Sequence, residues 1–276
     1  MSSIARSWTV RAVLGRRVPP GGTARRSGAA WTRYSYSMVT SSATDRTSIE
    51  RAAALDAAAQ RLIDAVATRI PCRPVRELVS DPTIDDGYTV QQLVLARTAG
   101  GRRQVGRKIG LTSRTVQQQL GVDTPDFGVL FADMEYGDSS PIPMGRLQQP
   151  RVEAEVAFVL GSDLPDRPVT VTDVVRATDF VTAAIEVVDS RVADWDITIF
   201  DTVADNASSG LYVLSGSPRS LREVPDLRNV RMSLTEDGSE VSIGTGAACL
   251  GHPVNAVVWL ANAVAERGAP LRAGEV

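Results

Sequence analysis

The sequence predicts an α+β protein, with helices in its first part and short strands dominating its second. Three observations carry this expectation. The chain has 276 residues, 43% hydrophobic and 22% charged, enough for a sizeable core. Apolar residues recur at helical spacing early in the chain. From Val152 onward, short β-prone runs are separated by turn-forming residues.

Order is expected from Thr47, where Thr47-Ser-Ile-Glu50 matches a capping box ahead of Leu55, Ala59, Leu62, Val66 and Ile70. That helix should stop at Ile70-Pro71, because the residue before a proline is driven out of helical backbone. A second helix is expected from Thr89, whose hydroxyl would cap Val90-Gln-Gln-Leu-Val-Leu-Ala96. Strands are expected at Val105–Ile109 and Val152–Val159, then near 180–188, 210–214, 229–234 and 239–243. Pro253 suits the first turn of a helix running to Arg267, which Gly268 would terminate. The closing Leu271-Arg-Ala-Gly-Glu-Val276 reads as the entry to a further strand.

Charge is unevenly placed. The formal net charge is -2, yet residues 1–44 hold seven arginines and no acid, leaving about -9 on the remainder. Residues 1–46 are therefore expected to be a disordered basic extension; an Arg-rich transit peptide has the same composition, and Met38 is an alternative start. The body of the chain has no basic stripe, which argues against nucleic acid as a partner. No apolar run approaches the roughly 18 residues of a membrane span, so no membrane partner is expected. Two distant cysteines, Cys72 and Cys249, form neither a disulfide scaffold nor a zinc site.

The chemistry concentrates in a few segments. Strand alternation in Pro150-Arg-Val-Glu-Ala-Glu-Val-Ala-Phe-Val-Leu160 puts Glu153 and Glu155 on one face. Such a pair faces water, shares a proton or binds a hard cation such as Mg²⁺ or Mn²⁺. Glu186 is the polar residue of an otherwise apolar β-prone run, which favours the metal reading. Asp189 and Arg191 follow it, either as a structural pair or as an anchor for an acidic substrate. Lys108 is the only lysine among thirty basic residues and lies between Gly106 and Gly110. It is either an exposed strand charge or a group that holds a carboxylate or moves a proton. Asp126, in a polar turn before an apolar run, is either a turn residue or a positioned acid/base. His252, the sole histidine, precedes Pro253 and reads as a helix boundary.

Together these segments resemble the 2-oxopent-4-enoate (2-hydroxypenta-2,4-dienoate) hydratases of the fumarylacetoacetate-hydrolase-like superfamily. The resemblance runs from about residue 47 to the end. It rests on Gly106-Arg-Lys-Ile-Gly-Leu-Thr-Ser113, Val116-Gln-Gln-Gln-Leu-Gly121, Pro125-Asp-Phe-Gly-Val-Leu-Phe-Ala-Asp-Met134 and the Val152–Leu160 run. Ala184-Ile-Glu-Val-Val-Asp-Ser-Arg191, Ala204-Asp-Asn-Ala-Ser-Ser-Gly210 and Gly246-Ala-Ala-Cys-Leu-Gly-His-Pro253 continue it.

The resemblance implies a fumarylacetoacetate-hydrolase-like mixed β-roll with a smaller helix-containing N-terminal region. The expected division is an α/β region at 47–145 and a β-rich metal-binding catalytic domain at 146–276, truncated at its C-terminal end. By the same resemblance Glu153, Glu155 and Glu186 are the metal ligands for Mg²⁺ or Mn²⁺, and Lys108 and Asp126 the catalytic residues. It implies a cytoplasmic homo-oligomer acting on a small 2-hydroxydienoate or 2-oxo acid, able to associate with the downstream pathway aldolase. The implied reaction is hydration of 2-hydroxypenta-2,4-dienoate to 4-hydroxy-2-oxopentanoate. A 2-oxo-3-enedioate decarboxylase sharing the ligands, and a non-catalytic protein retaining the fold, are the alternatives.

Overall fold

Leu55, Ala58, Ala59, Leu62 and Ala65 fall on one stripe of a helical wheel, and that stripe is the buried face of α1 (Ala43–Thr68). The computed structural model describes residues 8–12, 43–224 and 226–276. A strand, β1 (Trp8–Ala12), lies within the segment expected to be disordered and pairs antiparallel with residues 232–236. The consecutive Trp8, Thr9 and Val10, aromatic and β-branched, give that short stretch strand propensity despite its basic surroundings. Residues 1–7 and 13–42 of the expected extension, Met38 among them, lie outside the described residues.

Helix α1 begins four residues before Thr47, so the expected capping box falls inside it. It ends beside Arg69, whose φ of 58° breaks the helix just before Ile70-Pro71. The next helix, α2 (Ile84–Thr98), starts earlier than the Thr89 expected. Thr83 accepts from the Asp86 N–H while the Asp86 carboxylate accepts from the Thr83 N–H, a reciprocal cap unavailable at Thr89. Thr89 instead donates to the Asp85 carbonyl within the helix.

Arg51 on α1 binds the same Asp86 carboxylate, and this guanidinium, followed by the Thr83 contacts, pulls its pKa down to about 2. A depressed carboxylate pKa gives stability that is complete above the unfolded value near 4 and lost as pH falls toward 2. Asp86→Asn should therefore lower the urea midpoint at pH 7, and its deficit against the parent should shrink between pH 4 and pH 2. A constant deficit across that window would assign the effect to shape rather than charge.

The chain continues through β2 (Gln104–Gly110), α3 (Arg114–Leu120), β3 (Asp126–Phe131) and β4 (Glu135–Tyr136). Then come β5 (Pro150–Leu160), α4 (Val171–Ala177), β6 (Thr178–Asp189), α5 (Ile199–Ala204) and β7 (Ser209–Leu214). It closes with β8 (Arg231–Glu236), β9 (Ser239–Thr245) and α6 (Pro253–Glu266). The central mixed sheet has the order β4-β7-β6-β5, with β4 parallel to β7 and the other pairs antiparallel. An antiparallel ribbon, β2-β3, and a three-stranded sheet, β1-β8-β9, complete the described strands.

The main core joins Phe158, Leu160 and Val181 of the sheet to Val257, Leu260 and Val264 of α6, and reaches back to Tyr88 and Phe127. Tyr88 stacks on Phe127 at 4.4 Å, with Trp259 edge-on to Phe127 and Arg267 over the Tyr88 ring. Packing is thus continuous across residue 145. The His252 side chain accepts from the Val254 N–H and caps α6, so the sole histidine is a helix boundary. Gly246–Glu266, 21 residues long, contains an 18-residue window with a mean hydropathy of 1.3, within the range of a membrane span by length and composition. Its helical part, α6, is 14 residues, shorter than the roughly 20 a span needs, and its apolar stripe packs in the core.

Residues 274–276 hydrogen bond on both sides. Val276 N–H donates to Val105 and its carbonyl accepts from Arg107, while Leu160 exchanges bonds with Gly274 and Glu275. They stitch the edge of β2 to the edge of β5. Gly106 permits this approach, because a Cβ there would lie 1.8 Å from the Val276 carbonyl oxygen.

Candidate metal and active site

The β5–β6 register decides the geometry of the acids. Glu153 lies directly opposite Glu186, and Glu155 is opposite Ala184, one residue pair further along the same face. The three carboxylates offer oxygens all within 4.8 Å of one another. Two carboxylates opposed across a ladder repel, so this face is unfavourable unless protons or a cation intervene.

Burial, then Glu186 and Glu153, push the Glu155 carboxyl up to about 8. Burial also raises Glu186, to about 7, although Lys108 works against the shift. Glu186 Oε1 is buried and makes no well-aligned hydrogen bond, its Lys108 Nζ neighbour lying 3.3 Å away. A cluster of hard oxygen donors with an under-satisfied buried oxygen fits a divalent cation such as Mg²⁺ or Mn²⁺.

Lys108 and Asp126 reach this face from the ribbon. Lys108 on β2 pairs with Gly128, and Asp126 at the start of β3 pairs with Gly110. A Cβ at Gly110 would sit 2.2 Å from Asp126 Oδ1 and 3.2 Å from Lys108 Nζ, so glycine there lets both side chains lie over the backbone. Burial disfavours the Lys108 ammonium, but Glu186, Asp126 and Glu153 outweigh it and hold its pKa above the ordinary lysine value. It is a cation at neutral pH. Asp126 is 1% exposed, and burial raises its pKa against the opposing pull of Lys108.

The sequence-derived candidates Lys108, Glu153, Glu155 and Glu186 thus converge, with Asp126 beside Lys108. A cavity of about 310 Å³ is lined by Lys108, Thr112, Glu155 and Glu186 together with the apolar Phe158, Met232 and Leu260. Its lining combines charged and apolar side chains, as a small amphipathic acid requires.

Asp189 and Arg191 do not form the side-chain pair considered from sequence. The Asp189 carboxylate accepts from the Gln148 and Gln149 N–H groups. Arg191 pairs instead with Asp205, fourteen residues on, and donates to the Asp189, Asp205 and Ser209 carbonyls. Both act in the scaffold. Thr202, which donates to Asp126 Oδ2 at 3.3 Å, had no sequence signal because the contact spans 76 residues.

Comparison with known proteins agrees with this geometry. Residues 96–276 match the fumarylacetoacetate (FAA) hydrolase C-terminal family. A 2-keto-4-pentenoate hydratase of Paraburkholderia xenovorans (strain LB400) is 54% identical over 220 residues, 79% of this chain and 81% of the relative. A 2-hydroxyhexa-2,4-dienoate hydratase of Comamonas testosteroni is 42% identical over 79% of this chain and 83% of its own length. Among solved structures, 4-oxalocrotonate decarboxylase from Pseudomonas putida G7, complexed with magnesium and adipate, superposes with a TM-score of 0.76. It is 36% identical, over 80% of this chain and 84% of that one. The chain therefore belongs to the fumarylacetoacetate hydrolase family, within its 2-keto-4-pentenoate hydratase group.

Proposed function

We propose that the protein hydrates 2-hydroxypenta-2,4-dienoate to 4-hydroxy-2-oxopentanoate, with Glu153, Glu155 and Glu186 holding Mg²⁺ or Mn²⁺ and Lys108 and Asp126 acting on the substrate. The observation that carries this reading is the meeting of three glutamates with the sole lysine, where Lys108, Glu155 and Glu186 line one cavity. Across the reaction the 2-hydroxyl proton is lost and a proton is gained at C5, giving an α,β-unsaturated 2-oxo acid. Water then adds its hydroxyl at C4 and its hydrogen at C3. The divalent ion supplies Lewis-acid stabilisation of charge on the substrate's 2-oxygen.

The residues divide the remaining work by charge state. Lys108, held as an ammonium, orients the substrate carboxylate and balances the negative charge that develops. Asp126 carries the proton, using Oδ1, which is buried without a hydrogen-bond partner beside Lys108. The apolar side chains lining the cavity keep bulk water off the conjugated chain. In the same reading the protein is a cytoplasmic homo-oligomer that associates with the aldolase consuming its product.

The test follows ultraviolet loss of freshly generated dienol with mass detection of the hydroxy-oxo acid, in Mg²⁺ or in EDTA. The parent should turn over only with metal, and Asp126→Asn should lose about 10²- to 10⁴-fold in kcat while still binding metal. Folded, metal-loaded protein that forms no product would sink hydration of this substrate. Decarboxylation of a 2-oxo-3-enedioate is the second reading, favoured by likeness to the magnesium-bound decarboxylase; CO₂ release from such a dicarboxylate would then replace hydration.

A further inference from the structure

Asp126 is held asymmetrically. Its Oδ2 accepts from the Thr202 hydroxyl at 3.3 Å, while its Oδ1 has no hydrogen-bond partner and lies where a Gly110 side chain would otherwise be. Thr202 is 5% exposed, on α5, and its Oγ lies 3.4 Å from Ser208 Oγ, which is also buried. An ionised carboxylate only accepts, so Thr202 donates to Asp126 and in turn accepts from Ser208.

Ser208 sits in an unusual piece of backbone. Asn206, Ala207 and Ser208 take φ values of 55°, 51° and 52°, three consecutive non-glycine residues in the left-handed region. Such a turn persists only where its surroundings overdetermine it. Here the Asn206 side chain accepts from the Val129 N–H and donates to the Val129 carbonyl, clamping the turn to β3 three residues from Asp126. Ser209 closes it by donating to the Asn206 carbonyl. Gly128 admits the turn, since a Cβ there would lie 2.3 Å from the Asn206 carbonyl oxygen.

We propose that Thr202 is a positioning residue for Asp126: with Ser208 and the left-handed turn at 206–208 behind it, its hydroxyl fixes Oδ2 so that Oδ1 alone faces the reacting proton. This rests on the proton-carrying role proposed for Asp126. The groups acting on that carboxylate are Lys108 from β2, Glu153 from β5, Glu186 from β6 and Tyr88 from α2, so Thr202 adds direction rather than charge. Neither a metal ligand nor a cavity wall, it has a role separable from both.

The experiment compares Thr202→Val, Thr202→Ser and Ser208→Ala with the parent and with Asp126→Asn, using Mg²⁺-loaded full-length protein. Removing one anchor of a reacting group costs about 10- to 100-fold through misplacement. Thr202→Val is expected to lose that much kcat with KM within about twofold, and the acidic limb of its kcat profile should move up in pH as the carboxylate loses a donor. Thr202→Ser should recover most of the loss, because it restores the hydroxyl without the methyl. Ser208→Ala should show a smaller loss of the same kind, and carries the test if Thr202→Val does not fold. Parent-like kcat and pH profile in folded Thr202→Val, or in Ser208→Ala where the valine variant does not fold, beside an inactive Asp126→Asn, would overturn positioning and leave the role of Asp126 standing. Parent-like turnover by Asp126→Asn would overturn that role, and this proposal with it.

Discussion

Glu155→Gln should yield a protein that is more stable without metal and nearly inactive with it. Glu155 makes the case cleanly because burial, Glu186 and Glu153 all raise its carboxyl, to about 8, with only Lys108 opposing. The folded state therefore binds this proton more tightly than the unfolded chain, whose glutamate titrates near 4.3. Stability of the metal-free parent should fall as pH rises from about 4 to about 8, and the loss is complete above that. Glutamine has no such proton to lose, so the variant's advantage should open across the same window and level off above it.

Adding Mg²⁺ should reverse the order. A cation that binds only the folded parent stabilises it by mass action, whereas the variant has lost a charged donor and should respond weakly. Turnover in Mg²⁺ should fall by about 10³-fold or more, since the group that stabilises developing charge is no longer held. Urea melts in EDTA and in Mg²⁺ at pH 6 and pH 8.5, with the dienol assay, check all three statements. A variant less stable than the parent in EDTA at pH 8.5 would show that the acidic face is not strained by its own charge.

Arg191→Met should be the most destabilising single change in the scaffold, at about 3 to 5 kcal/mol. Arg191 is buried, its Nε pairs with Asp205, and its remaining donors satisfy the carbonyls of Asp189, Asp205 and Ser209. Methionine fills similar space but leaves Asp205 buried without its cation and three carbonyls without this donor. Asp205 already titrates high, near 6, because burial outweighs the pull of Arg191. Adding Asp205→Asn to Arg191→Met should therefore recover a substantial part of the loss in a urea melt. A double variant as unstable as Arg191→Met alone would place the cost in the orphaned carbonyls instead of the stranded charge.

Local chemistry in the chain was enough to mark the longer helices, most of the strands and the candidate acids and lysine, but not the short helices α3, α4 and α5 or the strands β1, β3 and β4. Period-two alternation placed Glu153 and Glu155 on one face of β5, and that face is where they stand. The same reading found the cap at His252 and the end of α1, both governed by residues adjacent in sequence. Lys108 stood out by composition alone. It misplaced the start of α2 because Thr83 and Thr89 are both capping residues, and only the reciprocal Thr83–Asp86 bonds distinguish them.

Partnership across the fold followed a different rule. Alternation says which face a residue takes but not which residue lies opposite, so the pairing of Glu153 with Glu186 waited on the β5–β6 register. Arg191 bypasses nearby Asp189 for Asp205 because the main-chain N–H groups of Gln148 and Gln149 already occupy the Asp189 carboxylate. Thr202 meets Asp126 only through the packing of α5 against β3. Short-range sterics and periodicity therefore determined the longer elements and their faces, while ladder register and helix packing, which join residues dozens of positions apart, decided which charged groups share the site.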